Sequence, residues 1–204
     1  TFNGGDQNTN VPCIIHIPGT EPRTEKRIVR TLDFAPTLLD LAKVPVDSRM
    51  EGHSLRPYLE GTVKDMGLPY YGETSYLFCR RYIPGEEPAY LPPMDSTTEI
   101  DESFDCHFVL KDKYQATVLK TKERVLRTER WKFVYTPGKD YNIERLYDLQ
   151  NDPNCLKNVA LDYPEVFTAL KNSLWLWIRE KKETRIPDIF PQGEPASRPP
   201  TEAS

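Results

Sequence analysis

Between Thr31 and Gly61 the apolar positions change period twice. Phe34, Leu38, Leu41 and Ala42 recur at helical spacing, with Asp40 and Lys43 pointing away from that stripe. Asp33 stands where a helix cap is expected, and Pro36 falls in the first turn, where a missing N–H costs little. Val44-Pro45 ends the helix, because a residue before proline avoids the α region. A polar turn, Glu51-Gly52-His53-Ser54, leads to a second short helix, Leu55 to Leu59, closed by Gly61.

Elsewhere the pattern is mostly that of strands. Val11-Pro12-Cys13-Ile14-Ile15-His16-Ile17, ended by Pro18-Gly19, is a continuous apolar run of the kind found in buried parallel strands. On that reading Cys13 is a small core residue and His16 a strand histidine rather than a ligand. Tyr70 to Phe78 is aromatic and alternating, which predicts a strand, with Glu73 in a structural role. His107–Leu119 and Glu123–Tyr135 also predict β structure, with Trp131, Phe133 and Tyr135 alternating with Lys132 and Val134. After the Pro137-Gly138 turn, Glu144 to Leu149 predicts another strand. The last helix opens at Asp162-Tyr163-Pro164-Glu165 and buries Val166, Leu170, Leu174, Trp177 and Ile178, with Trp175 off the stripe.

Between these elements lie two proline-rich stretches. Residues 80–106 form a predicted irregular loop broken by Pro84, Pro88, Pro92 and Pro93, carrying Glu99, Asp101, Glu102 and Asp105. Those carboxylates lack the spacing of a calcium loop, so a solvated acidic loop is expected. A loop of this length suits a lid, a specificity loop or an oligomer contact. Residues 183–204 are a predicted Pro-rich tail.

Composition narrows the function classes. The chain has 204 residues, with 27 basic and 31 acidic side chains and a net charge of −4, and no basic stripe suggests nucleic acid. No apolar run approaches the roughly 20 residues of a membrane span. The chain opens on Thr1-Phe2-Asn3-Gly4-Gly5, without a signal-peptide pattern, which suggests a cut made inside a fold. Four cysteines without a C-x-x-C pair argue against zinc; a Cys79–Cys106 disulfide is left open.

The wording of two blocks goes beyond periodicity. Asp33 to Pro45, D-x-A-P-T-L-L-D-L-A-x-V-P, followed by Glu51 to Gly61, E-G-x-S-L-x-P-x-L-x-G, resembles the sulfatase family of the alkaline phosphatase superfamily. So does Glu144 to Ala160, E-x-L-Y-D-L-x-x-D-P-x-x-x-x-N-x-A, together with the R-T-x-x-x-K stretch at Arg127 to Lys132. The Val11–Gly19 strand is similar to one that follows the last active-site loop in that family. The resemblance runs from Val11 to about Arg179 and implies an α/β fold: the end of an alkaline-phosphatase-like sulfatase core, then a small C-terminal α+β subdomain with an antiparallel sheet and one packed helix. It implies a division into residues 1–106, the last part of the core, residues 107–182, the subdomain, and the 183–204 tail.

The resemblance also implies a chemistry that these residues do not carry. Sulfatases use a formylglycine made from Cys or Ser in C/S-x-P-x-R, and a calcium-type divalent cation that neutralises developing charge. No cysteine or serine here meets that pattern, and no D-D-x-G or S-D-H-G metal pair is present. Before Val11, where many members carry a lysine and Y-E-x-G-x-R, the chain has Gly5-Asp6-Gln7-Asn8-Thr9-Asn10. No catalytic residue and no metal ligand carries over. His53 and Glu73 are the substrate-contact candidates, each with a structural role as the first reading. The implied partners are a catalytic N-terminal half and, for the whole protein, a sulfated small molecule or glycan. The alternatives are a non-catalytic binding or scaffold module, or part of a related phosphodiesterase or phosphonate hydrolase.

Overall fold

A computed structural model describes residues 9–74, 94–138 and 141–180. These fall into two compact units, one made of Val11–Tyr70 with Arg127–Glu129 and the other of residues 9–10 with the described parts of 71–126 and 130–180.

In the first unit, a 3₁₀ turn at Thr31–Asp33 runs into helix α1, Phe34–Leu41, and α2 follows at Arg56–Glu60. Lys43, at φ 58°, ends α1 in the left-handed conformation one residue before Val44-Pro45, and Gly61, at φ 70°, ends α2 the same way. The predicted buried strand at Val11–Ile17 is overturned: the segment has no regular structure, Ile14 is 95% exposed, and Cys13 and His16 are exposed. A parallel strand needs a neighbour to pair its backbone, and no described residue pairs with this run.

The second unit is built on a four-stranded sheet in the order β1-β4-β5-β6: Tyr70–Thr74, Glu123–Arg127, Trp131–Thr136 and Ile143–Asp148. β5 and β6 are antiparallel, with Phe133 opposite Leu146 and Tyr135 opposite Glu144. Helix α5, Pro164–Glu180, packs on one face. Leu174 and Ile178 join Leu126, Phe133, Tyr135, Leu146, Val159 and Ala160 in the core, with Val166, Leu170 and Trp177 packed against them, as the helical spacing predicts. Aromatic pairs lock the helix down: Tyr71 stacks on Trp177 at 4.9 Å, while Phe133 and Tyr135 meet Phe167 and Trp175 edge-on. Trp175 therefore belongs to the core contact as well.

Two expectations from the middle of the chain are corrected. The β structure expected up to Leu119 gives way to helix α4, Gln115–Thr121, with Val118 and Thr121 buried three residues apart on one side. Of its other members, Gln115, Ala116, Leu119 and Lys120 are strong helix formers and only Thr117 is not. The described end of the proline-rich stretch is also regular: a short helix α3, Met94–Thr97, leads into a hairpin of β2, Thr98–Asp101, and β3, His107–Leu110. Asp105 and Cys106, both left-handed, turn its tip, and the Cys106 thiol is exposed and free. Cys79, residues 75–78 of the predicted first strand and the 183–204 tail lie outside the described residues.

Candidate functional site

The two polar blocks that carry the family wording are each a hydrogen-bonded clasp. In the first unit, Asp33 at the end of the 3₁₀ turn and Thr37 and Asp40 of α1 fall at spacings of four and three, on one side of the helical path. Asp33 Oδ1 accepts the His53 N–H at 2.9 Å, Thr37 Oγ1 accepts the Leu55 N–H at 2.8 Å, and Asp40 Oδ2 accepts the Ser54 hydroxyl at 2.6 Å. The polar side of α1 is thus its tertiary face. Leu38, expected in the buried stripe, is 62% exposed, while Thr37 is buried.

Asp33 is fully buried and does not cap α1; it reaches back to the Arg30 N–H at 3.1 Å and binds the Arg30 guanidinium at 2.9 and 2.7 Å. Burial alone would raise its pKa, but the Arg30 guanidinium and the His53 N–H outweigh it and hold the carboxyl below the usual range. Arg30 also donates to the Pro69 carbonyl at 3.2 Å. Gly52 is required by space: a Cβ there would stand 1.9 Å from the Leu32 carbonyl oxygen.

His53, one of the two contact candidates, is tied down at both ends. Its backbone binds Asp33, and its Nδ1 lies 3.1 Å from Arg30 Nη2. A guanidinium only donates, so Nδ1 accepts and the ring proton sits on Nε2. Glu73, the other candidate, lies in the second unit, where its Oε1 meets Lys122 Nζ at 2.5 Å and its Oε2 lies 3.7 Å from Arg124 Nε. Arg124 in turn donates to the carbonyls of Lys122 and Leu119 at the end of α4. Glu73 therefore ties β1 to the α4–β4 junction.

The second clasp closes the sheet. Asn158 Oδ1 accepts from the N–H groups of Leu146 and Ala160 at 3.0 and 3.2 Å, and the Val159 N–H donates to the Leu146 carbonyl at 2.8 Å. Asp148 accepts the Arg130 guanidinium at 3.1 and 2.8 Å, the Asn151 amide at 2.9 Å and the Gln150 N–H at 3.2 Å. The Arg130 guanidinium, then Asn151 and Gln150, draw the Asp148 pKa down to about 2. Asp152 Oδ2 caps the Lys157 N–H at 2.8 Å.

Neither clasp is arranged for chemistry. Among the described residues no three His, Cys, Asp or Glu side chains converge on a point that would hold a metal ion, and the acidic hairpin keeps Asp101 for the Ser103 N–H. Among the described residues the donor set does not form a divalent-cation site, and no cysteine or serine of the sequence stands in C/S-x-P-x-R. Also among the described residues, no helix is long and apolar enough to cross a membrane.

Against known proteins, residues 5–76 match the family model for the C-terminal part of N-sulphoglucosamine sulphohydrolase. Arylsulfatase K of Gallus gallus is 28% identical over 82% of this chain and 25% of its own length. N-acetylglucosamine-6-sulfatase of Bos taurus is 27% identical over 90% of the chain and 32% of its own. A phosphonate monoester hydrolase structure from Agrobacterium radiobacter aligns with a TM-score of 0.48 and 26% identity, over 87% of the chain and 30% of that one. The chain thus spans about a quarter to a third of the length of these relatives. The family-model match takes in the first clasp, and the chain is similar to the C-terminal portion of sulfatases.

Proposed function

We propose that the full-length protein hydrolyses sulfate esters and that this chain supplies its non-catalytic C-terminal part. The observation that carries the reading is the combination of sulfatase relatives across 82–90% of the chain with the lack of a C/S-x-P-x-R nucleophile sequence anywhere in it. The nucleophile, as formylglycine, and a calcium-type cation belong on this reading to a catalytic N-terminal half, and no step of the reaction is assigned to a residue of this chain. Residues 1–106 complete the core of that half, residues 107–182 form the subdomain, and the 183–204 tail follows. The substrate is a sulfated small molecule or glycan.

The exposed apolar side chains of the first unit support this reading. Ile14, Leu32, Leu38, Val44 and Val46 stand in the open, and covering them with the catalytic half would remove apolar surface from water. His53 and Glu73 take structural roles, because both are already committed to cations of their own unit.

The test is an ester assay on the full-length protein beside this chain alone, with an aryl sulfate and an aryl phosphonate monoester as substrates. Sulfate release by the full-length protein and none by the chain is the expected result. Turnover of the phosphonate alone would move the activity to the sister chemistry. A full-length protein inert to both would leave a binding or scaffold role.

A further inference from the structure

The sheet face opposite α5 carries charge at depth. Glu123, 2% exposed, begins β4, and its Oε2 accepts the Thr136 hydroxyl at 2.7 Å. Among the described residues that is the only hydrogen bond to its carboxyl group; Oε1 is buried and has none. Among the described residues no ion pair is formed with it at contact distance. Strand alternation and the β5–β6 register put Lys132, Val134 and Thr136 of β5 on this face with Ile143, Arg145 and Tyr147 of β6. On β4 itself, Arg127 shares the parity of Glu123. β1, the other neighbour of β4, sends Tyr71 to the α5 face, and Glu73 with it by the same alternation.

A buried carboxylate with one neutral donor is a costly arrangement, while the protonated acid in the same place is cheap. We infer that Glu123 is held as a neutral carboxylic acid and makes this sheet a pH-sensitive element, firm in mild acid and loosened when the group ionises. This inference stands apart from the reaction proposed above. Burial pushes the Glu123 pKa up to about 7, against the pull of the Thr136 hydroxyl and the charges of Arg145 and Lys132. In the unfolded chain the group titrates near 4.5. Between those two values the native state holds a proton that the unfolded state has lost. Stability therefore falls as pH rises through that window, by roughly a hundredfold or more in the unfolding constant.

The experiment measures hydrogen-exchange protection of the β4 and β5 amides in the full-length protein from pH 5 to pH 8, corrected for the intrinsic exchange rate. Wild type should lose protection by roughly a hundredfold across the range, and Glu123→Gln, which keeps the neutral shape, should abolish most of that loss. Equal pH dependence in the two proteins would overturn the inference. Should the variant not fold, infrared difference spectra of wild type and Thr136→Val decide it. A protonated carboxyl band that persists to higher pH in Thr136→Val, which lacks the single donor, supports the inference. An ionised carboxylate at pH 5.5 in wild type refutes it.

Discussion

The Asp33 carboxylate and the His53 backbone N–H meet at 2.9 Å across 20 residues of sequence. That contact joins the start of α1 to the loop before α2, and Arg30 closes it from the other side. Asp33→Ala should leave a largely buried guanidinium and a backbone donor without their acceptor. Removing one partner of a buried pair costs about 3 kcal/mol or more, to be read from urea denaturation. Asp33→Asn should cost less, since it keeps an acceptor for the His53 N–H.

His53→Ala separates structure from substrate contact. The backbone bond to Asp33 survives and only the ring contact to Arg30 is lost, so stability should fall by about 1 kcal/mol or less. Steady-state kinetics of the full-length protein should show kcat and KM unchanged on a sulfate ester. A several-fold rise in KM would instead make the His53 ring a substrate contact.

Asn158→Ala should be more damaging than its position in a loop suggests. Two N–H groups, of Leu146 and Ala160, share its Oδ1, and the Leu146 side chain is at the centre of the core. The expected loss is about 2 kcal/mol, and thermal unfolding measures it. Asn158→Asp, which keeps the acceptor, should recover most of the difference.

Acid should release the second clasp. Asp148 has a native pKa of about 2 against an ordinary value of 3.8, so the folded state binds fewer protons than the unfolded one in that window. Its contribution is complete above the ordinary value and drains away as pH falls toward 2. Asp148→Asn should flatten the acid limb of a stability–pH curve while leaving the neutral region parallel to wild type. An unchanged acid limb would show that Arg130 and Asp148 do not pair in solution.

Leu38→Ser tests the proposed catalytic partner. In this chain alone the side chain is mostly in water, and the substitution should change stability by less than about 0.5 kcal/mol. If the catalytic half covers α1, the same substitution in the full-length protein should cost about 2 kcal/mol. Equal small effects in both would mean that Leu38 faces solvent in the whole protein too.

Much of the second unit was legible in the chain. The spacing of Val166, Leu170, Leu174, Trp177 and Ile178 predicts α5, and the alternation of Trp131, Phe133 and Tyr135 predicts β5, because each element buries one face against the other. Asn158 has the chemistry of a capping residue, and its Oδ1 takes two backbone N–H groups. The first unit was harder. Its helix was predicted from Leu38 and its neighbours, yet the face that makes contacts is Asp33-Thr37-Asp40. The spacing of four and three was visible, but a polar stripe ordinarily faces solvent, and only its hydrogen-bond partners distinguish a clasp from a wet surface.

By itself the sequence carried the resemblance to sulfatases, the local elements with a strong period, and the lack of a nucleophile motif, since these depend on residue type and spacing alone. Tertiary structure decided which face of α1 is used and, among the described residues, that Val11–Ile17 pairs with no strand and that Glu123 is buried with a single donor. Those properties depend on partners far away in the chain, and a carboxylate, an apolar run or a helix face has no fixed meaning until its neighbours exist.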